Sequence, residues 1–102
     1  MLTVVAEICV KPGYRQKVLE AFHQVIPTVL EEEGCHQYSA LVDHQAQVPW
    51  KHNSPDSIFM LEQWETLRHL DQHQQMPHME AHRAAIKEYV TDVKILVLEP
   101  GQ

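Results

Sequence analysis

Histidine is the chemistry-bearing residue in which this sequence is unusually rich, with eight in 102 residues. His69 and His73 lie four positions apart in a predicted helix, as do His78 and His82, so each pair shares one helical face. That spacing suits a transition metal, but neither pair lies in an HExxH motif and no third ligand is evident. We therefore predict no metal centre and keep paired histidine ligands as the alternative.

A helical projection at about 100° per residue separates these histidines by direction. His82 falls within the apolar stripe of its helix, so it is expected to face the sheet as a core residue. His73 and His78 lie at stripe edges, where a side chain can reach a cavity and water together. His69 and His23 are expected to point elsewhere.

Glu62 and Trp64 are two positions apart on a predicted strand, so their side chains lie on the same face. A carboxylate on such an apolar strand needs a partner or a pocket. Trp64 is either a core residue or part of that pocket. Tyr38 is either a core aromatic residue or a hydrogen-bond donor at a cavity wall.

Three consecutive carboxylates, Glu31, Glu32 and Glu33, end the first predicted helix. The helix dipole disfavours negative charge there by roughly 0.3–1 kcal/mol each. A solvated acidic end that tolerates this cost is the favoured interpretation. The alternative is a cationic partner, for example on another subunit.

Composition excludes several function classes. A net charge of −6 without a basic cluster argues against nucleic acid and anionic membranes as partners. No stretch approaches the roughly 20 apolar residues needed for membrane insertion. Cys9 and Cys35 match no metal or redox spacing, which is typical of reduced thiols in a cytoplasmic protein. No glycine-rich phosphate loop is present, so flavin, nicotinamide and nucleoside triphosphate chemistry are not indicated.

The elements that must position these residues are predicted in the order βαββαβ, as one α+β domain over residues 1–102. Strands are predicted at 2–10, 36–44, 57–65 and 92–99, with a loop at 45–56. One helix is predicted at 14–33 with Pro27 inside it, and another begins after the Thr66 cap, is interrupted at Pro77, and ends near residue 89. This is the ferredoxin-like arrangement, with both helices on one face of an antiparallel sheet.

The strands predict a homodimer because they are apolar on both faces. Phe59, Met60 and Leu61 are consecutive, and residues 95–98 form an unbroken apolar run. The helices can cover only one face of each strand. Each large apolar side chain left exposed on the other face loses roughly 1.5–3 kcal/mol of the free energy that burial would contribute. A second, symmetry-related sheet resolves this.

Several short segments, in this order and spacing, resemble the antibiotic biosynthesis monooxygenase superfamily. They are the Lys11-Pro12-Gly13 turn, Glu33-Gly34-Cys35 followed by Tyr38, Glu62-Gln63-Trp64-Glu65 with His73 nine residues after the tryptophan, and Pro77-His78-Met79. Residues 1–7, 27–30, 32–36 and 55–58 are similar to its bacterial quinol monooxygenase branch.

The resemblance implies a dimeric α+β barrel, with a cavity between sheet and helices in each subunit. It implies a cytoplasmic homodimer that oxidises quinols, small aromatic molecules, to quinones with O₂ and without a cofactor. His73 is the expected proton acceptor, because the pKa of histidine suits neutral pH. Trp64, Glu62, Tyr38 and His78 would line or polarise the pocket.

Two other kinds of function remain open on this scaffold. One is a non-catalytic module that binds quinones or other small molecules under stress. The other is haem degradation, since residues 79–82 loosely resemble a haem-ligand segment. Against haem, Ile8 stands where those enzymes have an asparagine, and His73 stands where they have a tryptophan.

Overall fold

The computed structural model describes all 102 residues. Its elements, in chain order, are β1 (Leu2–Val10), α1 (Arg15–Leu30), β2 (Cys35–Leu41), β3 (Ser57–Trp64), α2 (Leu67–Gln74), α3 (Pro77–Ile86) and β4 (Val90–Leu98). The predicted α+β order is confirmed, and the second predicted helix is divided into α2 and α3. No helix has the length and apolar character of a membrane span.

The four strands form one antiparallel sheet in the order β2-β3-β1-β4, which is the ferredoxin-like arrangement. Ala6 of β1 lies between Met60 of β3 and Ile95 of β4. Alternate side chains of β1 and β3 are buried, as expected for strands with helices on one face. That face carries the core and, with it, the candidate site.

Helix α1 buries the stripe that its periodicity predicts, namely Val18, Phe22, Val25 and Val29. It continues through Pro27 but ends at Leu30, three residues earlier than predicted. The chain then turns into β2 at Gly34, whose φ of 81° lies in the left-handed region that favours glycine. Residues 31–33 therefore belong to a turn, and their side chains can take different directions.

The second helical segment is cut by Pro77 into two separate helices. Thr66 caps α2 as predicted, since its side-chain oxygen accepts from the backbone N–H of His69 at 3.2 Å. Pro77 begins α3, where the missing N–H of proline leaves no hydrogen bond unmade. The break lets α2 and α3 present different side chains to the sheet.

Strand β4 is an edge strand that the helices leave largely uncovered. Ile95, on the helix side, is 52% exposed, and Leu96, on the opposite side, is 57% exposed. The bounds of the two edge strands differ slightly from the prediction. Strand β2 ends at Leu41 rather than at residue 44, and β4 begins at Val90 rather than at residue 92. The result is an apolar edge with no cover from this chain.

The Gly34 turn provides a test of how closely the chain packs at the start of β2. Gly34→Ala would place a Cβ atom on the side chain of His69, whereas a Cβ at Gly13 meets nothing within 4 Å. Both glycines have positive φ, so both substitutions carry backbone strain of roughly 1 kcal/mol. Urea unfolding at fixed protein concentration should show Gly34→Ala losing at least about 1 kcal/mol more than Gly13→Ala. Equal losses would contradict close packing of this turn on α2.

Candidate active site

A mostly apolar cavity of about 120 Å³ lies between the inner face of the sheet and the three helices. That space exceeds the roughly 10–15 Å³ needed for one water, so it can hold a small molecule. The polar or titratable residues on its wall are Tyr38, Glu62, His73, Gln74, His82 and Arg83. Val93 and Ile95 of β4 form its wall at the uncovered edge.

His73 reaches the cavity from α2 and is almost fully buried. Its ring packs against Trp64, with centroids 4.6 Å apart, and meets Tyr38 edge-on at 5.3 Å. Its Nδ1 lies 2.9 Å from Oε2 of Glu32. Because a carboxylate only accepts, we assign the ring proton to Nδ1, which leaves Nε2 as an acceptor. Burial lowers the pKa of His73 more than Glu32 raises it, so the ring is neutral near pH 7.

Glu32 is the central residue of this arrangement, and the interpretation of a fully solvated acidic end is wrong for it. Its side chain is only 4% exposed, whereas that of Glu33 is 78% exposed. Oε2 of Glu32 also bonds Nε2 of His78 at 2.7 Å. Its hydrogen-bond partners are therefore two histidines of the same chain, of which His73 is neutral near pH 7.

His78 does not line the cavity and lies on the far side of Glu32. Its side chain is 24% exposed, so it reaches water while His73 does not. His73, Glu32 and His78 thus form a continuous hydrogen-bonded chain from the cavity to the surface. Because a carboxylate only accepts, both histidines donate to the same Glu32 oxygen, which orients both rings.

Glu62 lines the cavity from β3, and burial raises its pKa to about 7. Its Oε1 accepts from Nε1 of Trp64 at 2.9 Å, which opposes that rise. Trp64 itself is fully buried behind the wall, where it holds Glu62 and packs on His73. Near neutral pH the Glu62 carboxyl group is present in both protonation states, so it can donate or accept a proton.

Tyr38 contributes a phenol to the same wall from β2. Burial first, and then the charges of Glu62 and Glu32, raise the pKa of Tyr38 far above its usual range. The group therefore keeps its proton and serves as a hydrogen-bond donor. Of the five predicted site residues, the structure brings Tyr38, Glu62 and His73 to the cavity and places Trp64 and His78 directly behind it.

His82 and His69 are both buried, although only His82 was expected to be. His82 faces inward as predicted, and its ring meets Phe22 at 4.3 Å. His69 does not point to solvent, because its Nδ1 bonds Oγ1 of Thr66 at 2.7 Å and its ring packs on Gly34. A helical projection predicts only which residues face the sheet, so it cannot predict that His69 is buried against the turn at Gly34. No group of three or more histidine, cysteine, aspartate or glutamate side chains is placed to hold a metal.

Arg83 supplies a positive charge at the cavity rim. Its Nη2 donates to the backbone carbonyl of Gln74 at 2.6 Å, which ties α3 to the last turn of α2. Its charge also contributes to the low pKa of both His73 and His82. The rim is therefore positive while the interior is apolar.

Comparison with known proteins identifies close relatives over the whole chain. The family model described as "Antibiotic biosynthesis monooxygenase" matches residues 1–85. The chain is 50% identical, over 103 aligned positions covering 99% of both sequences, to "Probable quinol monooxygenase YgiN" of Escherichia coli strain K12. The protein of the same name from Shigella flexneri matches equally well.

Solved structures share the fold at lower sequence identity. A protein from Pseudomonas aeruginosa is 26% identical and superposes with a TM-score of 0.80 over 97% of this chain and 92% of its own. A crystal structure described as an antibiotic biosynthesis monooxygenase is 21% identical and has a TM-score of 0.83, with both chains fully covered.

The raised pKa of Glu62 predicts a pH dependence of folding stability. The folded carboxyl group holds its proton to about pH 7 against a reference value of 4.5, so this stabilisation is complete below pH 4.5 and is lost as pH rises through 7. The free energy of unfolding of the wild type should therefore fall by about 3 kcal/mol between pH 4.5 and 7, since each pH unit corresponds to about 1.4 kcal/mol. Glu62→Gln has no carboxyl group at this position, so this fall should be absent from it.

Urea unfolding of the wild type and Glu62→Gln between pH 4.5 and 8 measures this difference. Glu65→Gln is the matched control, because it removes an exposed carboxylate three residues along the chain. Its curve should run parallel to that of the wild type. A Glu62→Gln curve that is also parallel would contradict a buried, proton-binding Glu62.

Proposed function

Because this chain belongs to the antibiotic biosynthesis monooxygenase family, we propose that it oxidises quinols to quinones with O₂, using no metal or flavin. The observation that carries the proposal is the position of His73, which lines an apolar cavity while the buried Glu32 holds its Nδ1 at 2.9 Å and leaves Nε2 as an acceptor. The relative named as a probable quinol monooxygenase supports the choice of substrate.

In this proposal His73 is the general base. Its Nε2 takes a proton from a quinol hydroxyl, and the positive charge on the ring is balanced by Glu32 at 2.9 Å. The role of Glu32 is to position and charge-balance His73, because it does not reach the cavity.

The deprotonated quinol is electron-rich enough to reduce O₂ directly. Transfer of one electron gives a semiquinone and superoxide, and a second electron with two protons gives quinone and hydrogen peroxide. Recombination at carbon followed by loss of water instead gives a hydroxylated quinone with one oxygen atom from O₂. Tyr38 and the protonated form of Glu62 would donate to the oxygen atoms on which charge develops.

Oxygen consumption with a panel of reduced naphthoquinones, in chelator-treated protein, tests the proposed activity. Isotopically labelled O₂ separates the two product routes, since only recombination at carbon puts the label in the quinone. Binding without oxygen consumption would contradict an enzyme and favour the non-catalytic quinone-binding module.

His73→Ala should lower kcat by roughly 10²–10⁴-fold, the usual contribution of a general base. Stability should fall by only about 1 kcal/mol, as for ordinary point mutants. His23→Ala is the control, because His23 is an exposed histidine on α1 away from the cavity. Full activity in a folded His73→Ala protein would contradict this role. The base would then be Glu62, or the substrate would ionise in water without a base from the protein.

We also propose that the protein is a homodimer formed across the uncovered faces of β4. Val93, Ile95 and Val97 point to the helix side and Leu96 and Leu98 to the other, and all five are exposed. Covering such side chains contributes up to roughly 1.5–3 kcal/mol each. Since Val93 and Ile95 also border the cavity, a partner seated on β4 would shield the site from water.

Light scattering at micromolar concentration should give twice the mass of the chain. Leu96→Lys should shift the protein toward monomer, because it places a charge on the opposite sheet face without altering the cavity wall. Leu67→Lys, at a comparably exposed leucine on α2, should leave the mass unchanged. A monomeric wild type would contradict the dimer.

A further inference from the structure

Arg83 is the one cationic side chain on the cavity wall, and the proposed chemistry gives it no role. Burial lowers the pKa of the two histidines there, His73 and His82, and the Arg83 charge lowers each further, so both rings are neutral near pH 7. Arg83 forms no ion pair with any of the 14 acidic residues of the chain. An unpaired cation at the rim of an apolar cavity is placed to meet a charge that the ligand carries.

Contacts with α2 hold this guanidinium in place. Its Nη2 donates to the backbone carbonyl of Gln74 at 2.6 Å, and its Nη1 donates to the side-chain Oε1 of Gln74 at 3.5 Å. A guanidinium has more N–H donors than these two contacts use, so several remain free. Because the side chain is already held, binding an anion costs less conformational entropy here than at an untethered arginine.

A second cation makes the rim positive although the chain is acidic overall. Lys87 follows Arg83 by one turn of α3, and it has no ion pair either. It lines an adjoining groove that shares Arg83, Ile86 and Val93 with the cavity wall. In a chain of net charge −6, these two side chains provide local attraction for an anion at the opening of the site.

The distribution of charge also specifies how a ligand would be oriented. The apolar interior suits an aromatic ring, and the planar fork of Arg83 matches a carboxylate at the rim in bidentate geometry. A carboxylate turned toward the sheet would instead meet Glu62, which carries part of a negative charge because burial raises its pKa to about 7.

We propose that Arg83 binds a carboxylate on the aromatic ring of the substrate, which makes it a specificity-determining residue that selects acidic quinols over uncharged ones. This rests on the proposed function and adds to it a charged substituent, which a quinol as such does not require. With the carboxylate at the rim, the ring system extends into the cavity toward His73.

The test compares two ligands that differ in charge but hardly in size. Binding of beta-naphthoate and of beta-naphthamide, neither of which is a quinol, is measured by calorimetry at neutral pH. The wild type should prefer the naphthoate by roughly 5–20-fold, between the value of an exposed ion pair and that of a buried charged hydrogen bond. This preference should shrink as the NaCl concentration rises, because salt screens charges at the rim.

Three variants separate the charge of Arg83 from its contacts with α2. Arg83→Gln removes the charge, so its ratio should fall to about one. Arg83→Lys keeps the charge without the fork and should retain part of the preference, and it also serves if Arg83→Gln does not fold. Arg68→Gln removes an exposed arginine of α2 away from the cavity and should keep the ratio of the wild type. An unchanged ratio in folded Arg83→Gln, or a wild type that binds both probes equally or neither, would overturn the inference.

Oxygen consumption with naphthohydroquinone separates this inference from the proposed function. A wild type that consumes oxygen but binds the two probes equally loses only the role of Arg83. A wild type that oxidises no quinol overturns the proposed function, and the ratio of the two probes then still decides whether Arg83 selects an anionic ligand.

Discussion

The carboxylate of Glu32 imposes the constraint on which the rest of the site depends. A buried carboxylate is costly unless hydrogen-bond donors replace water, and here Nδ1 of His73 and Nε2 of His78 do so. The turn after α1, held by the positive φ of Gly34, must therefore lie close to both α2 and α3. The same bond fixes the tautomer of His73, so a folding requirement determines which nitrogen is left as an acceptor.

Burial moves the cavity groups toward their neutral forms. It lowers the pKa of His73 and His82 and raises the pKa of Glu62 and Tyr38. The interior is thereby suited to an uncharged aromatic molecule, while Arg83 keeps the rim positive. In the proposed reaction, developing charge meets His73 as an acceptor and Glu62 as a group that exchanges protons near neutral pH.

Local pattern in the sequence predicted much of this structure and left out its centre. Alternating and helical periodicity predicted the order of the elements. Residue type and position on a strand or helix made Tyr38, Glu62 and His73 candidates, and the family resemblance assigned them to one pocket. Glu32 was missed because its partners lie 41 and 46 residues away, and because its inward direction depends on the turn at Gly34. The sequence did contain a signal for this arrangement. The acidic residues 31–33 lie at a helix end that disfavours negative charge, and His73 and His78 lie at the edges of apolar stripes on other helical segments.

The most direct test of this account is the pH dependence of kcat/KM in Glu32→Gln, with Glu33→Gln as the matched exposed control. Glu32 raises the pKa of His73, so removing its charge should move the acidic limb of the profile to lower pH and lower the maximal rate by roughly 10–100-fold. Glu33→Gln should keep the profile of the wild type. A folded Glu32→Gln enzyme with an unshifted acidic limb would contradict the claim that Glu32 acts through His73.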